Sequence, residues 1–153
     1  MVMAQNLDKI EVGQTKWFTI MNKVYVLIVE DDKYMNLTLS GLLDEEGYDT
    51  ISATTANEAL DKIRDKNKVY NLVILDYNLG NLSGLTGLDI LKEMKAVNPN
   101  VKSILITAYS DNKIKEMAKQ SGIDIFINKP FMLDEILESV AKLTEGPQTV
   151  ITE

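Results

Sequence analysis

The stretch VYVLIVEDD, residues 24–32, decides the fold, because an apolar run leads directly into three acidic residues. A run this rich in β-branched residues is typical of a central parallel strand covered on both faces. In three later stretches an apolar run also leads into a residue that can bind phosphate or a metal ion. They are LVILD at 72–76, ILIT at 104–107 and IDIFINKP at 123–130. A fifth run, ISA at 51–53, lacks such an ending. The sequence therefore predicts five strands, four of which deliver reactive side chains.

If these strands are parallel members of one sheet, their carboxyl ends lie side by side. Open parallel sheets bind ligands at that edge, where the strand order reverses. The three acidic side chains, one hydroxyl and one lysine that meet there predict a magnesium and phosphoryl site.

Helical patterns alternate with the strands. The predicted strands are 23–29, 48–53, 70–75, 101–106 and 123–127, and the predicted helices are 33–46, 56–66, 88–97, 111–121 and 133–143. The first helix is expected to end before Gly47 and to bury Leu37, Leu39, Leu42 and Leu43. Thr55 and Glu58 form the pattern of a capping box. This alternation predicts an α/β, doubly wound parallel sheet with five helices.

Three segments divide the chain. Residues 23–143 are predicted to form the single domain. Residues 1–22, which include Trp17 and Phe18, are an upstream start, a cloning remnant or a docking arm, and these alternatives stay open. Residues 144–153 are expected to form a tail.

Composition excludes several functions. The 153 residues carry a net charge of −7, which disfavours nonspecific binding to nucleic acid or to an anionic membrane. Because Cys and His are both absent, the chain can hold neither a thiol nucleophile nor a phosphohistidine. No apolar run approaches the ~20 residues needed to span a bilayer. The simplest interpretation is a cytoplasmic protein.

The acidic residues form the first half of the predicted site. Asp76 ends a buried strand, as Glu30 and Asp31 do. Two carboxylates about 4 Å apart repel by about 4 kcal/mol at an effective dielectric constant of about 20, so the group must bind protons or a cation. Oxygen ligands alone favour Mg²⁺. Taken by itself, such a cluster is about as often a solvated loop.

Thr107 and Lys129 form the second half. The Thr107 hydroxyl can donate to a phosphoryl oxygen, and the Lys129 ammonium can offset negative charge. The bond between Lys129 and Pro130 is a candidate for the cis form. In isolation, each residue is more often an ordinary strand end or surface lysine.

Their joint order and spacing resemble the receiver domain of bacterial two-component response regulators across 23–143. The resemblance implies the flavodoxin-like strand order 2-1-3-4-5, with Asp76 as the phosphoacceptor. It also implies that Asp31 and Asp76 bind Mg²⁺ directly, that Glu30 acts through water, and that the Asn78 carbonyl is the third protein ligand.

The same resemblance implies a switch. Thr107, followed by the small residue Ala108, would respond to phosphorylation together with Phe126. The sequence departs from the usual pattern of this family in two places. The loop at 78–87 is about three residues longer than usual and lacks a proline, and Tyr109 places a bulky ring where side chains modulate access of water.

The resemblance implies that a partner histidine kinase or phosphotransfer protein phosphorylates Asp76, and that the surface of helix 111–121, strand 123–127 and helix 133–143 signals to a protein target. No direct contact with nucleic acid or membrane is expected. The alternatives are a Mg²⁺-dependent phosphatase of the haloacid dehalogenase type, a flavin-binding module, and a receiver cut from a longer regulator or hybrid kinase. The phosphatase is disfavoured because Asn78 stands where that class has a second aspartate.

Overall fold

The computed structural model describes residues 23–80, 82–108 and 111–144. Five strands alternate with five helices in these segments. The strands are β1 (Tyr25–Val29), β2 (Asp49–Ala53), β3 (Leu72–Asp76), β4 (Lys102–Thr107) and β5 (Ile125–Asn128). The helices are α1 (Lys33–Glu45), α2 (Ala56–Arg64), α3 (Gly87–Val97), α4 (Asn112–Gln120) and α5 (Leu133–Thr144). None of the helices described here has the length and apolar character that crossing a bilayer requires.

All five strands are parallel and form one sheet in the order β2-β1-β3-β4-β5. This order confirms the predicted doubly wound, flavodoxin-like fold. The chain runs from β1 outward to β2 and then crosses to β3 on the other side, so the order reverses between β1 and β3. The last pair in register between these two strands is Val29 with Leu75. Glu30 and Asp76 therefore leave the sheet side by side at the reversal point.

Each strand contributes alternate residues to two cores, as the pleat of a strand requires. Leu27 and Val29 pack towards α2, α3 and α4, whereas Val26 and Ile28 pack towards α1 and α5. This burial on both faces explains why the strand segments are continuous apolar runs and not alternating ones.

Polar side chains fix the helix ends. The Asp32 carboxylate caps α1 by accepting from the amides of Tyr34 (2.9 Å) and Met35 (3.1 Å). Gly47, in the left-handed region with φ of 93°, follows the last turn of α1 as predicted. Half of the capping box predicted for α2 is present, because Thr55 accepts from the Glu58 amide.

The other half differs: the Glu58 carboxylate accepts from the Thr54 hydroxyl at 3.4 Å. A complete reciprocal box occurs instead at α3, between Thr86 and Asp89, and was not predicted.

The predicted buried face of α1 is wrong at Leu37, whose side chain is 70% exposed. Leu39 and Leu43 do lie in the core, together with Asn36. Residues three and seven positions apart share one face of a helix, and 36, 39 and 43 have that spacing, whereas Leu37 is rotated away. The buried stripe of α1 thus includes Asn36 and not the predicted Leu37.

Candidate functional site

The carboxyl edge of the sheet brings together the side chains that the sequence singled out. Glu30 follows β1, Asp76 and Thr107 end β3 and β4, and Lys129 follows β5. Glu30, Asp76 and Thr107 are buried. The register aligns the strand ends, with Asp76 beside Ile106 and Thr107 beside Asn128. Residues about 100 positions apart therefore meet because the strands end at one level.

Lys129 lies at the centre of this edge. Its ammonium nitrogen donates to Glu30 Oε1 at 2.5 Å and to Asp76 Oδ2 at 2.8 Å. Its backbone amide donates to the Thr107 carbonyl at 2.9 Å, which extends the pairing of β4 with β5. The bond between Lys129 and Pro130 is cis, as the sequence suggested. One ammonium group therefore holds two acidic side chains from different strands.

Glu30, Asp31 and Asp76 form an acidic cluster whose ligand oxygens all lie within 4.8 Å of one another. Asp31 is exposed, so the cluster opens to solvent on one side. Asp32 points elsewhere because its carboxylate caps α1. Hard, anionic oxygen donors at a solvent-accessible edge suit Mg²⁺, which binds one or two carboxylates and retains several waters. The residues present thus fit this ion.

The charges in the cluster shift two pKa values. Burial, reinforced by the nearby Asp76 carboxylate, raises the pKa of Glu30 from 4.5 to about 7, even though the hydrogen bond from Lys129 opposes the change. Burial lowers the pKa of Lys129, but its bonds to Asp76 and Glu30 outweigh that effect and raise it overall. Lys129 therefore stays charged, while burial favours protonation of Glu30 in the metal-free protein.

The loop after Asp76 folds back on itself. The Asn78 amide donates to Asp76 Oδ1 at 3.2 Å, and the Asn78 side chain accepts from the Gly80 amide at 3.1 Å. Asn78 also forms an antiparallel bridge with Thr86, and the Gly87 amide donates to the Tyr77 carbonyl. The long loop is therefore closed at its base and orients the Asp76 carboxylate.

The remaining predicted residues lie around this centre. Phe126 is partly buried and lines a cavity of about 370 Å³ together with Ala118 and Ile123. Ala108 borders a separate groove of about 560 Å³, beside Lys129. Tyr109 lies outside the described residues.

Sequence reasoning missed two features near the site. Asn36 is buried against the backbone of Glu30, and Leu37 is exposed beside Tyr34 on α1. The available signal was the helical spacing of residues 36, 39 and 43, which indicates that Asn36 shares the buried stripe.

Comparisons with known proteins agree with this geometry. The model of the response regulator receiver domain family matches residues 26–141. The chain is 33% identical over 117 residues to sporulation initiation phosphotransferase F of Bacillus subtilis (strain 168), covering 76% of this chain and 90% of that protein. It is 31% identical over 123 residues to transcriptional regulatory protein ZraR of Salmonella typhimurium, covering 80% of this chain but only 27% of that protein.

Solved structures give the same result. The crystal structure of a CheY-like response regulator receiver domain protein from Methanospirillum hungatei JF-1 matches with a TM-score of 0.73 and 28% identity, covering 80% of this chain and 94% of that one. These matches give no support to the phosphatase alternative.

Proposed function

This chain belongs to the response regulator receiver family, and from that premise we propose that it accepts a phosphoryl group on Asp76 and signals through a change of shape. Receiver domains are signalling domains that take phosphoryl groups from histidine kinases or phosphotransfer proteins. The chain would catalyse only its own phosphorylation and dephosphorylation. We propose that it lies in the cytoplasm, where ATP is available to phosphorylate the donor protein.

One observation carries the proposal: Asp76 lies at the reversal point of the sheet, 2.8 Å from the Lys129 ammonium and within the acidic cluster of Glu30 and Asp31. A buried carboxylate at this position has one oxygen held by Lys129 and the other by the Asn78 amide. Because both oxygens are oriented, attack on phosphorus starts from a fixed geometry.

The proposed reaction is an in-line displacement. An Asp76 oxygen forms a bond to phosphorus while the P–N bond of a donor phosphohistidine breaks, and the imidazole leaves with the bonding electron pair and gains a proton. Lys129 donates to the phosphoryl oxygens, and we assign the same role to the Thr107 hydroxyl. A small acyl phosphate would react in the same way through its P–O bond. Attack by water on the phosphorus later breaks its bond to the Asp76 oxygen, which releases inorganic phosphate and restores the carboxylate.

Receiver domains bind Mg²⁺ at an acidic pocket. We propose that Asp31, Asp76 and the Asn78 carbonyl hold it here, with Glu30 acting through water. When bound, the ion would supply positive charge to the phosphoryl oxygens and relieve the repulsion among the carboxylates.

The donor is proposed to be a protein because apolar side chains surround the opening of the site. Tyr34 and Leu37 project from α1, with exposures of 85% and 70%, and Met132 and Leu133 project from the segment after β5. Tyr34 and Leu133 border the groove of about 560 Å³ beside Lys129. Exposed apolar patches of this kind mark protein contacts. A docked partner would thus present its phosphohistidine to Asp76.

The signal is proposed to leave through α4, β5 and α5 to a downstream protein. Only Ile114 and Ala118 are buried on α4, so this helix is weakly anchored. Phe126 lines the cavity of about 370 Å³, and its ring would move into the space that the Thr107 side chain vacates when it turns towards a phosphoryl group. With a net charge of −7, the chain is not expected to bind nucleic acid directly.

Phosphorylation by acetyl phosphate tests the proposal. With Mg²⁺ present, the intact mass should increase by one phosphate, and hydroxylamine should remove it. Chelating the metal or introducing Asp76→Asn should prevent the gain, whereas Asp65→Asn, at an exposed aspartate outside the site, should leave it intact. Phosphate uptake by Asp76→Asn equal to that of the wild type would refute the assignment.

A further inference from the structure

Asn36 is a buried polar residue that the proposed chemistry does not use. Only 3% of it is exposed, because it lies on the same buried face of α1 as Leu39 and Leu43. Burying an amide in apolar surroundings costs about 1–3 kcal/mol unless its hydrogen bonds are made. Its contacts therefore show what the residue stabilises.

The amide nitrogen of Asn36 donates to two backbone carbonyls, those of Glu30 and Ala53, both at 3.0 Å. Carbonyl oxygens only accept hydrogen bonds, so the side chain can take only this orientation, and both of its N–H groups are used. The Glu30 amide in turn donates to the same Ala53 carbonyl at 3.1 Å. Asn36 thus joins the ends of β1 and β2 at the point where Glu30 leaves the sheet.

The backbone of Asn36 holds the other end of the acidic turn. Its amide donates to the Asp32 carbonyl at 2.9 Å. One residue therefore contacts the first and third residues of the segment 30–32, through its side chain and its main chain. Asp31, the exposed member of the acidic cluster, lies between these two attachments.

One hydroxyl group contacts Asn36 directly, and a second one contacts the first. Ser40 Oγ donates to the Asn36 carbonyl at 2.9 Å and lies 2.8 Å from Ser52 Oγ. Within the part of the chain that the structure describes, the Ser52 side chain contacts Ser40 and not the turn 30–32. This difference makes Ser52 a matched control for the effect of Asn36.

We propose that Asn36 is a positioning residue for the phosphoryl site, which holds the turn 30–32 so that the Glu30 and Asp31 carboxylates face Asp76. The inference rests on the proposed function, since its consequence is the affinity for Mg²⁺. Groups that orient metal ligands typically change metal affinity by about 10- to 100-fold when removed. A purely structural role would instead lower the stability of the fold and leave the affinity unchanged.

The test compares Mg²⁺ binding, followed by NMR titration, in wild type, Asn36→Ala, Ser52→Ala and Val140→Ala. Val140 is buried on α5 and controls for a general loss of stability. All titrations are made at a temperature where each variant is fully folded. Asn36→Ala should weaken Mg²⁺ binding by about tenfold, whereas both controls should stay within about twofold of wild type.

A second measurement uses only the metal-free wild type, so it tests the inference even if Asn36→Ala fails to fold. Both side-chain amide protons of Asn36 should exchange slowly with solvent, and the Glu30 amide should do the same. Rapid exchange of the Asn36 side-chain protons would overturn the inference, as would equal Mg²⁺ affinities in Asn36→Ala and Val140→Ala. Absence of Mg²⁺ binding to the wild type would instead overturn the proposed function itself.

Discussion

At the scale of single residues, Lys129 decides whether the site can work. Its ammonium contacts both Glu30 and Asp76, so Lys129→Met leaves two neighbouring carboxylates without their cation. The rate of phosphorylation by acetyl phosphate should fall by about 100-fold, the typical cost of removing one donor to a transition-state oxyanion. The exposed Lys142→Met variant is the control. A rate for Lys129→Met within a factor of two of the control would contradict the assigned role.

The raised pKa of Glu30 makes the metal-free protein sensitive to pH. Its pKa of about 7 in the fold exceeds the ordinary 4.5, so the stability it contributes is fully present below 4.5 and is lost as pH rises through 7. The free energy of unfolding in a chelating buffer should therefore decrease over that range, by at most about 3 kcal/mol.

Urea unfolding of wild type and Glu30→Gln at several pH values measures this dependence. Glu30→Gln should have a flatter profile because it carries no titrating carboxyl. Profiles of equal slope between pH 4.5 and 7 would rule out Glu30 as the cause.

Gly87 is constrained by close packing against the acceptor. A Cβ added there would overlap the carbonyl oxygen of Asp76, whereas one added at Gly41, within α1, meets nothing within 4 Å. Gly87→Ala should destabilise the fold by about 1–3 kcal/mol and slow phosphorylation. Gly41→Ala should stabilise it by up to about 1 kcal/mol. Thermal unfolding compares the two, and an undiminished melting temperature for Gly87→Ala would be inconsistent with this packing.

At the scale of elements, α1 has a buried face and an exposed apolar face, and we propose that the exposed face docks the donor. Leu39 and Leu43 anchor it, while Tyr34, which lines the groove beside Lys129, and Leu37, three residues further along, are exposed to solvent. Leu37→Ser should change the stability by no more than about 0.5 kcal/mol, because the side chain is already exposed. It should slow phosphoryl transfer from a phosphohistidine protein by about tenfold, with no effect on the reaction with acetyl phosphate.

Val69→Ser is the matched control for this prediction. Val69 is similarly exposed but lies before β3, at the opposite end of the sheet. Equal transfer rates for the two variants would show that the α1 surface does not dock the donor.

The ends of the strands were predicted better than the buried face of α1 or the capping box of α3, and each outcome has a physical reason. Strand ends were predictable because continuous apolar runs stop where the sheet stops. The face of α1 was predicted less well, because Leu37 and Leu39 are equally apolar and the spacing that distinguishes them places a polar residue, Asn36, in the buried stripe. The capping box of α3 was missed because Thr86 lies in an irregular loop with no preceding pattern.

At the scale of the whole molecule, the alternation of strands and helices was sufficient to predict the fold class. The strand order required the resemblance to a known family, since periodicity does not state which strands are neighbours. The meeting of Glu30, Asp76 and Lys129 followed from parallel strands that share one edge. The buried contact between Asn36 and the Glu30 carbonyl could not be predicted, because it joins a helix to a strand end through a single side chain.

The most direct test of this account locates the phosphoryl group on the chain. After reaction with a phosphohistidine donor and Mg²⁺, reduction with borohydride converts a phosphorylated aspartate to homoserine, which peptide mass mapping can place. The account predicts homoserine at position 76 alone. Homoserine at position 31, or at any other aspartate with Asp76 unmodified, would contradict it.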